Sequence, residues 1–317
     1  MLIKNNCQVA ILGATSHIAK GLIYNFLAEG DSRLHLFTMS PDKVKRFLLS
    51  IKEINGKNYI LHEGYTKFME CTFDVVINCV GVGTSHKLQD NYTKYFTVTE
   101  EYDNLAINYL LNCSPNTLYI SFSSGAVYGS EFSSPVEENS VNNIMVNHIS
   151  KTSYYSIVRL NAEAKHRAFN NMKIVDLRIF SYFSRFADLT DGYFISEVLD
   201  CILNKKVLIT DNVNIIRDYI HPEDLFSIIN KCMDADKINT AFDVNSTKPI
   251  KKKEILDYFS LEYGLKYEMS RHLSNVSATG SKNIYCSNYM NAAGIGYKPV
   301  FSSMDALKEE SKYILLI

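Results

Sequence analysis

Charge of neither sign is in excess: 33 Lys+Arg stand against 34 Asp+Glu, for a formal net charge of -1. The basic surplus that marks a nucleic-acid binder is missing, so no nucleic-acid partner is expected. No apolar run reaches the roughly 18–20 residues of a membrane helix, so no membrane partner is expected either. The opening residues MLIKNNCQVAILGATSH lack a leader's layout, because their apolar stretch runs straight into a glycine turn with no small-residue cleavage site. A cytoplasmic location is the expectation. The 7 cysteines are odd in number, scattered, and never spaced C-x-x-C. Several lie in apolar runs such as VVINCVG, so neither a disulfide framework nor a zinc site is expected. The 8 histidines show no H-E-x-x-H or similar ligand spacing, and no metal is expected. Tryptophan is absent, and proline (6) and glycine (14) are scarce. No low-complexity linker or internal repeat interrupts the chain.

What is present is a composition that can bury a core. Hydrophobic residues make up 46% and charged residues 21%, which excludes a disordered chain. A length of 317 residues suits one large domain or two interleaved ones. The first half alternates strand-like and helix-like patterns. Gln8–Leu12 is a continuous apolar run, the mark of a strand covered on both faces. Ile18–Leu27 has helical apolar spacing, Leu34–Met39 reads as a strand, and Pro41 opens a helix. Strands follow at Tyr59–Leu61, Asp74–Val80, Thr117–Ser123 and Lys173–Phe180, with helices at Thr99–Leu111 and Tyr154–Asn170. This order predicts an α/β fold: a Rossmann-like, doubly wound parallel sheet with helices on both faces and ligands at the carboxyl ends of its strands. After Phe180 the rhythm changes, which predicts a smaller α/β substrate lobe. The expected division gives 1–180, with 213–235 returning to it, to the dinucleotide-binding domain, and 181–212 with 236–317 to the smaller lobe.

Between the first strand and first helix stands Gly13-Ala14-Thr15-Ser16-His17-Ile18-Ala19. A pyrophosphate needs a close backbone and a helix N-terminus there, and Gly13 supplies the tight turn. Ser16 occupies the place of a second glycine and Ala19 the helix-packing place. Gly13, Thr15, Ser16, His17 and Ile18 are therefore candidate cofactor contacts. At the end of the second strand, LHLFTMSPDKVKRF has no acid to hold ribose hydroxyls; it has Ser40, with Lys43, Lys45 and Arg46 beyond. A hydroxyl with cations suits a 2′-phosphate, so NADP(H) is expected in preference to NAD(H). Asn78 and Val80, at the end of DVVIN, are further candidate contacts, with Gly81 and Gly83 allowing the backbone to approach.

The chemistry-bearing residues follow the TLYISFS strand. Ser124 opens SGAVYG, and Tyr155 and Arg159 lie at i, i+4 on one helix face downstream. A tyrosine beside a cation can exchange a proton with a sugar oxygen, and a serine can hydrogen-bond the same oxygen. Tyr154 is less suited, because its i+4 partner is Val158.

Together ILGATSHIAKG, FDVVIN, SSGAVYG, Tyr155–Glu163, VDLRIF, IIRDYIHPEDL, FDVNSTKPI and GIGYKPVFSS run through nearly the whole chain. In this order the chain resembles an extended short-chain dehydrogenase/reductase of the NAD-dependent epimerase/dehydratase family. The resemblance implies a nucleotide-linked sugar substrate and a homodimer through paired helices. It assigns catalysis to Ser124, Tyr155 and Arg159, with Tyr155 and Arg159 also touching the cofactor. Arg159 departs from the family's lysine; it keeps the charge but is larger and planar. Substrate contacts would come from Ser124, Ser181, Arg217 and Tyr219, with Arg217 on the diphosphate. The family's dehydratases carry an Asp-Glu pair after the hydroxyl residue, where this chain has Gly125 and Ala126, so dehydration and decarboxylation are excluded. Ketoreduction and epimerisation remain. The missing acid and the altered glycine turn favour an NADP(H)-dependent reductase of a 4-keto-6-deoxy sugar nucleotide, in deoxysugar and surface-polysaccharide synthesis. An NAD-dependent epimerase is the alternative, and a non-catalytic dinucleotide-binding protein a further one.

Overall fold

A computed structural model describes residues 6–51, 58–82, 88, 90–270 and 282–316. The first half runs β1 (Cys7–Leu12), α1 (His17–Glu29), β2 (Ser32–Thr38), α2 (Pro41–Ser50), β3 (Tyr59–Glu63), β4 (Val75–Asn78), α3 (Thr93–Asn112), β5 (Leu118–Ser124), α4 (Tyr154–Ala168) and β6 (Ile174–Ile179). The second half runs β7 (Ser181–Tyr182), α5 (Phe194–Leu203), β8 (Val207–Thr210), β9 (Ile216–Arg217), β10 (Tyr219–Ile220), α6 (Pro222–Met233), β11 (Asn239–Val244), β12 (Ile250–Lys251), α7 (Lys252–Tyr263), β13 (Lys266–Met269), β14 (Ile284–Tyr285) and α8 (Ser303–Leu315).

Seven strands form one sheet in the order β11-β6-β5-β4-β1-β2-β3, and every pairing in it is parallel. The expected α/β architecture is thus present. Both faces are covered, which is why β1, β4 and β5 are buried at nearly every position and carry no charged residue. One face packs on Leu22 and Phe26 of α1, Val44 and Phe47 of α2, and Leu225 and Ile228 of α6. The other packs on Ala106, Tyr109 and Leu110 of α3 with Phe68 and Phe73. From β1 the chain builds outward to β3, then crosses back to place β4 on the other side of β1. That reversal opens a crevice between the ends of β1 and β4.

A separate core gathers Phe183, Val198, Leu208, Ile255, Phe259 and Leu307 from the elements after β6. One segment departs from the expected division. Asn239–Val244, read as part of the smaller lobe, pairs with β6 along its whole length and forms an edge of the main sheet. Its partner lies far back in the chain, so local pattern does not reveal the pairing. Asp224 ties the chain's last third to α6, accepting hydrogen bonds from the backbone of Val300 (2.9 Å) and Phe301 (3.1 Å).

Two buried polar networks cross the sheet. In one, Arg178 of β6 donates to Glu163 of α4 (2.7 Å), to the Tyr128 hydroxyl (2.6 Å) and to Asp243 of β11 (3.3 Å). Ser123 of β5 donates to Glu163 (2.6 Å) and Ser287 to Asp243 (2.6 Å). Helix α4, the end of β5 and the segment after β14 are thereby fixed to one another. In the other, His166 of α4 donates to Asp176 (2.8 Å) and Asp103 (2.7 Å). Tyr119 also donates to Asp103 (2.8 Å), and Asn78 donates to Tyr119 (3.1 Å).

Burial opposes a charge on His166, but Asp103 and Asp176 outweigh it and push its pKa up to about 9. The stabilisation from this cation is complete below the ordinary imidazole pKa of about 6.5 and is lost as pH rises through about 9. Urea unfolding between pH 7 and 10 should therefore show stability falling with pH, and His166→Gln should flatten that slope while lowering stability at pH 7 by roughly 3 kcal/mol. An unchanged slope in the variant would contradict the assignment.

Candidate active site

The crevice between β1 and β4 is built around Gly13. Its φ is +74°, and a Cβ there would come within 2.9 Å of the Val80 side chain. Only glycine fits this turn between the two strand ends. Ser16 adopts ordinary extended angles (φ -70°), so its place needs no glycine. Its Oγ caps α1 by accepting from the Ala19 amide at 3.2 Å. The start of α1 thus faces the crevice with a hydroxyl in place of bare backbone. Thr15 lies half-buried in the turn. His17 bonds Ser184 Oγ at 2.8 Å, and Ile18 packs against the main core. A turn that excludes a Cβ, at a strand-to-helix junction on the switch point, fits a dinucleotide pyrophosphate.

Asn78 is buried and its side chain turns inward. It donates to Tyr119 and accepts from the Val80 amide at 3.0 Å, so at this strand end it is the backbone of Val80 that borders the crevice. Ser40 is half-buried at the start of α2 and its amide bonds Thr38 Oγ1 at 3.0 Å. Beyond it, on the exposed face of α2, Lys45 pairs with Asp42 at 3.3 Å, and Arg46 donates to the Asp42 carbonyl at 3.4 Å. Gly83 lies outside the described residues.

Ser124 is the last residue of β5, and its hydroxyl shares a 2.7 Å hydrogen bond with the Tyr285 hydroxyl. Tyr155 stands in the first turn of α4, half-buried, with its ring 5.1 Å from the Arg159 guanidinium. Arg159 is buried; its Nη1 donates to the Phe122 carbonyl of β5 at 2.9 Å, and its Nε has no hydrogen-bond partner. Burial opposes the Arg159 charge, but interaction and hydrogen bonding with Tyr155 raise its pKa. Gly81 makes room for this side chain, since a Cβ there would lie 3.0 Å from Nη2. Arginine in the lysine place is accommodated by glycine opposite.

Three more tyrosines surround Tyr155. The Tyr95 ring lies 5.2 Å away; its hydroxyl is buried without a hydrogen-bond partner, and burial, then Tyr155, pushes its pKa up to about 12. Burial and Tyr155 likewise raise Tyr193, and burial raises Tyr285. Gly125 explains the missing acid: a Cβ there would come within 2.3 Å of the Phe180 ring.

Arg217 forms no pair with its neighbour Asp218, which instead accepts from Ser246 and Ser303. Arg217 donates to the carbonyls of Ile216 (2.8 Å) and Lys282 (2.6 Å), and burial lowers its pKa. The Lys282 amine lies 4.3 Å from the centre of the Tyr285 ring, and Arg217 lies 6.0 Å from the same ring. Neither cation has a carboxylate partner among the described residues, and both stand beside the Tyr285 ring. The Tyr219 phenol interacts electrostatically with Arg217, whereas no hydrogen bond joins Ser181 to either cation among the described residues. The Tyr219 ring is buried in the second core, and Ser181 is half-buried opposite it in the β7–β10 pairing. Sequence reasoning missed Tyr285 and Lys282, whose run KNIYC carries no motif, and Tyr95, one of 21 tyrosines.

Solved structures share this fold. A Bacillus cereus UDP-glucuronic acid 4-epimerase, in complex with UDP-4-deoxy-4-fluoro-glucuronic acid and NAD, is 16% identical, with TM-score 0.80 over 97% of this chain and 98% of that one. A Stenotrophomonas maltophila UDP-glucose-4-epimerase with bound NAD and formylated UDP-arabinopyranose is 14% identical, with TM-score 0.81 over 97% and 98%. A Methanobrevibacter ruminantium M1 UDP-N-acetylglucosamine 4-epimerase, in complex with UDP-N-acetylmuramic acid, is 17% identical, with TM-score 0.77 over 98% and 99%. At these identities the likeness is one of fold. No curated protein sequence matches. The expectation of NADP(H) is corrected here. Neighbours of this fold are solved with NAD. A model described as the NAD dependent epimerase/dehydratase family matches residues 9–245, and the chain belongs to that family.

Proposed function

We propose that the chain is an NAD-dependent epimerase of a nucleotide-linked sugar. The observation that carries this reading is the convergence of Tyr155, Arg159 and Ser124 at the carboxyl end of the sheet, beside a glycine-built crevice. The sequence favours a reductase, but neighbours of this fold solved with NAD include UDP-sugar 4-epimerases, which supports the alternative. Gly125 and Ala126 offer no acid or base for removing water.

Bound NAD would supply a hydride acceptor for the sugar carbon and return the hydride to it. Tyr155 Oη takes the hydroxyl proton as that carbon is oxidised and gives it back on reduction. The Arg159 guanidinium, anchored on the Phe122 carbonyl, stabilises the phenolate form in which Tyr155 takes that proton and to which it returns on giving the proton back. Ser124, oriented by Tyr285, hydrogen-bonds the reacting sugar oxygen. Arg217 and Lys282 hold the diphosphate that links sugar and nucleotide. Exposed Leu160 on α4 and Leu111 at the end of α3 support pairing of these helices in a homodimer.

The purified protein should interconvert the 4-epimers of a UDP-sugar, followed by NMR, with no added cofactor. Tyr155→Phe should lower that rate by about 10²–10⁴-fold. A requirement for stoichiometric NADPH would instead support reduction. Burial, then Arg217, lowers the Lys282 amine to about 7, so it loses its proton as pH rises past neutrality. Affinity for the nucleotide sugar should therefore fall between pH 7 and 9. Lys282→Met should weaken binding at pH 7 by roughly tenfold and remove most of the pH slope. A slope unchanged in the variant would contradict the placement of Lys282 on the substrate anion.

A further inference from the structure

At the far edge of the main sheet, away from Tyr155, three soft or borderline donors meet. His35 of β2 and His62 of β3 project from neighbouring strands onto one face, and Cys71 follows the short helix Phe68–Glu70. A ring nitrogen from each histidine and the Cys71 sulfur all lie within 4.8 Å of one another. His35 Nδ1 and His62 Nε2 stand 3.1 Å apart.

The tautomer of His35 follows from its neighbours. Gln8 Nε2 donates to the Asn6 carbonyl at 3.0 Å, which turns the amide oxygen Oε1 toward His35 Nε2, 3.1 Å away. An amide oxygen can only accept, so Nε2 carries the hydrogen and Nδ1 presents its lone pair to His62 and Cys71. A metal-binding imidazole is characteristically held in this way, with its second nitrogen donating to a fixed oxygen. The rings are also fixed by packing. His62 stacks on Phe37 at 4.3 Å with an interplanar angle of 5°, and Phe73 meets His35 edge-on at 5.1 Å. His35 is buried while His62 and Cys71 are half-buried, which leaves a solvent approach on one side.

We propose that His35 Nδ1, His62 Nε2 and Cys71 Sγ form a binding site for a zinc-class divalent ion. Two imidazoles and a thiolate match zinc in donor type, and the open fourth position is left to water. On binding, Cys71 releases its thiol proton to solvent, and the ring hydrogen of His62, which in the metal-free site lies on Nε2 and is donated to His35 Nδ1, passes through solvent to Nδ1 so that Nε2 can ligate. The ion would clamp β2, β3 and the segment after Phe68–Glu70 together, a structural role that leaves Tyr155 and Ser124 untouched. The donors come from three separate elements, so no ligand spacing shows in the sequence.

The test uses the full chain, stripped with a chelator and titrated with Co²⁺ and Zn²⁺. One Co²⁺ per chain is expected, with a thiolate-to-cobalt charge-transfer band in the near ultraviolet and tetrahedral bands in the visible. Zn²⁺ in large excess over its Kd should raise Tm by roughly 5 °C. Cys71→Ser should remove the charge-transfer band, and His62→Gln should weaken Co²⁺ binding at least tenfold. Absence of the band in the unaltered chain, a Tm indifferent to Zn²⁺, or a Cys71→Ser variant with the full band would each overturn the proposal.

Discussion

The structure turns on one half-buried guanidinium. Arg178 sits between two carboxylates, Glu163 on α4 and Asp243 on β11, and also donates to the Tyr128 hydroxyl. Taking three charges out of water is costly, and the cost is offset only while every partner stays in place. The candidate site hangs from those partners. Glu163 holds Ser123, the residue before Ser124, and belongs to the helix that carries Tyr155 and Arg159. Asp243 holds Ser287, two residues beyond Tyr285. The serine, the tyrosine and the second tyrosine that orients the serine are set in relation to one another by a single polar cluster beneath them.

A second constraint acts at the crevice. Gly13 and Val80 close on each other so tightly that no side chain fits at position 13. Val80 is itself positioned by Asn78, which is tied through Tyr119 and Asp103 to the His166 cation. The floor of the dinucleotide crevice therefore shares a hydrogen-bonded chain with α4. The departure from lysine at Arg159 fits this frame. The longer side chain folds back onto the Phe122 carbonyl and into the space left by Gly81, and it keeps its charge beside Tyr155.

Much of the fold is legible in the sequence because its strands are buried on both faces and so read as apolar runs, and because turn and cap residues such as Gly13 and Pro41 sit where backbone chemistry requires them. The main misplacement, Asn239–Val244, is a pairing between distant segments that no local pattern encodes. Candidate site residues that belong to motifs, Ser124, Tyr155 and Arg217, can be picked out from the sequence. Tyr285 and Lys282 are not, since only the return of the chain to the sheet end brings them to Ser124 and Arg217. The inclination to NADP(H) rested on a missing acid and on nearby cations, a local pattern that the NAD-bound neighbours of this fold overrule.

The central claim is that this crevice holds NAD for a cycle that consumes no cofactor. Its most direct test is mass spectrometry of the dinucleotide released when the purified protein is denatured. The account predicts NAD, in oxidised and reduced forms, at close to one per chain; release of NADP, or of no dinucleotide, would contradict it.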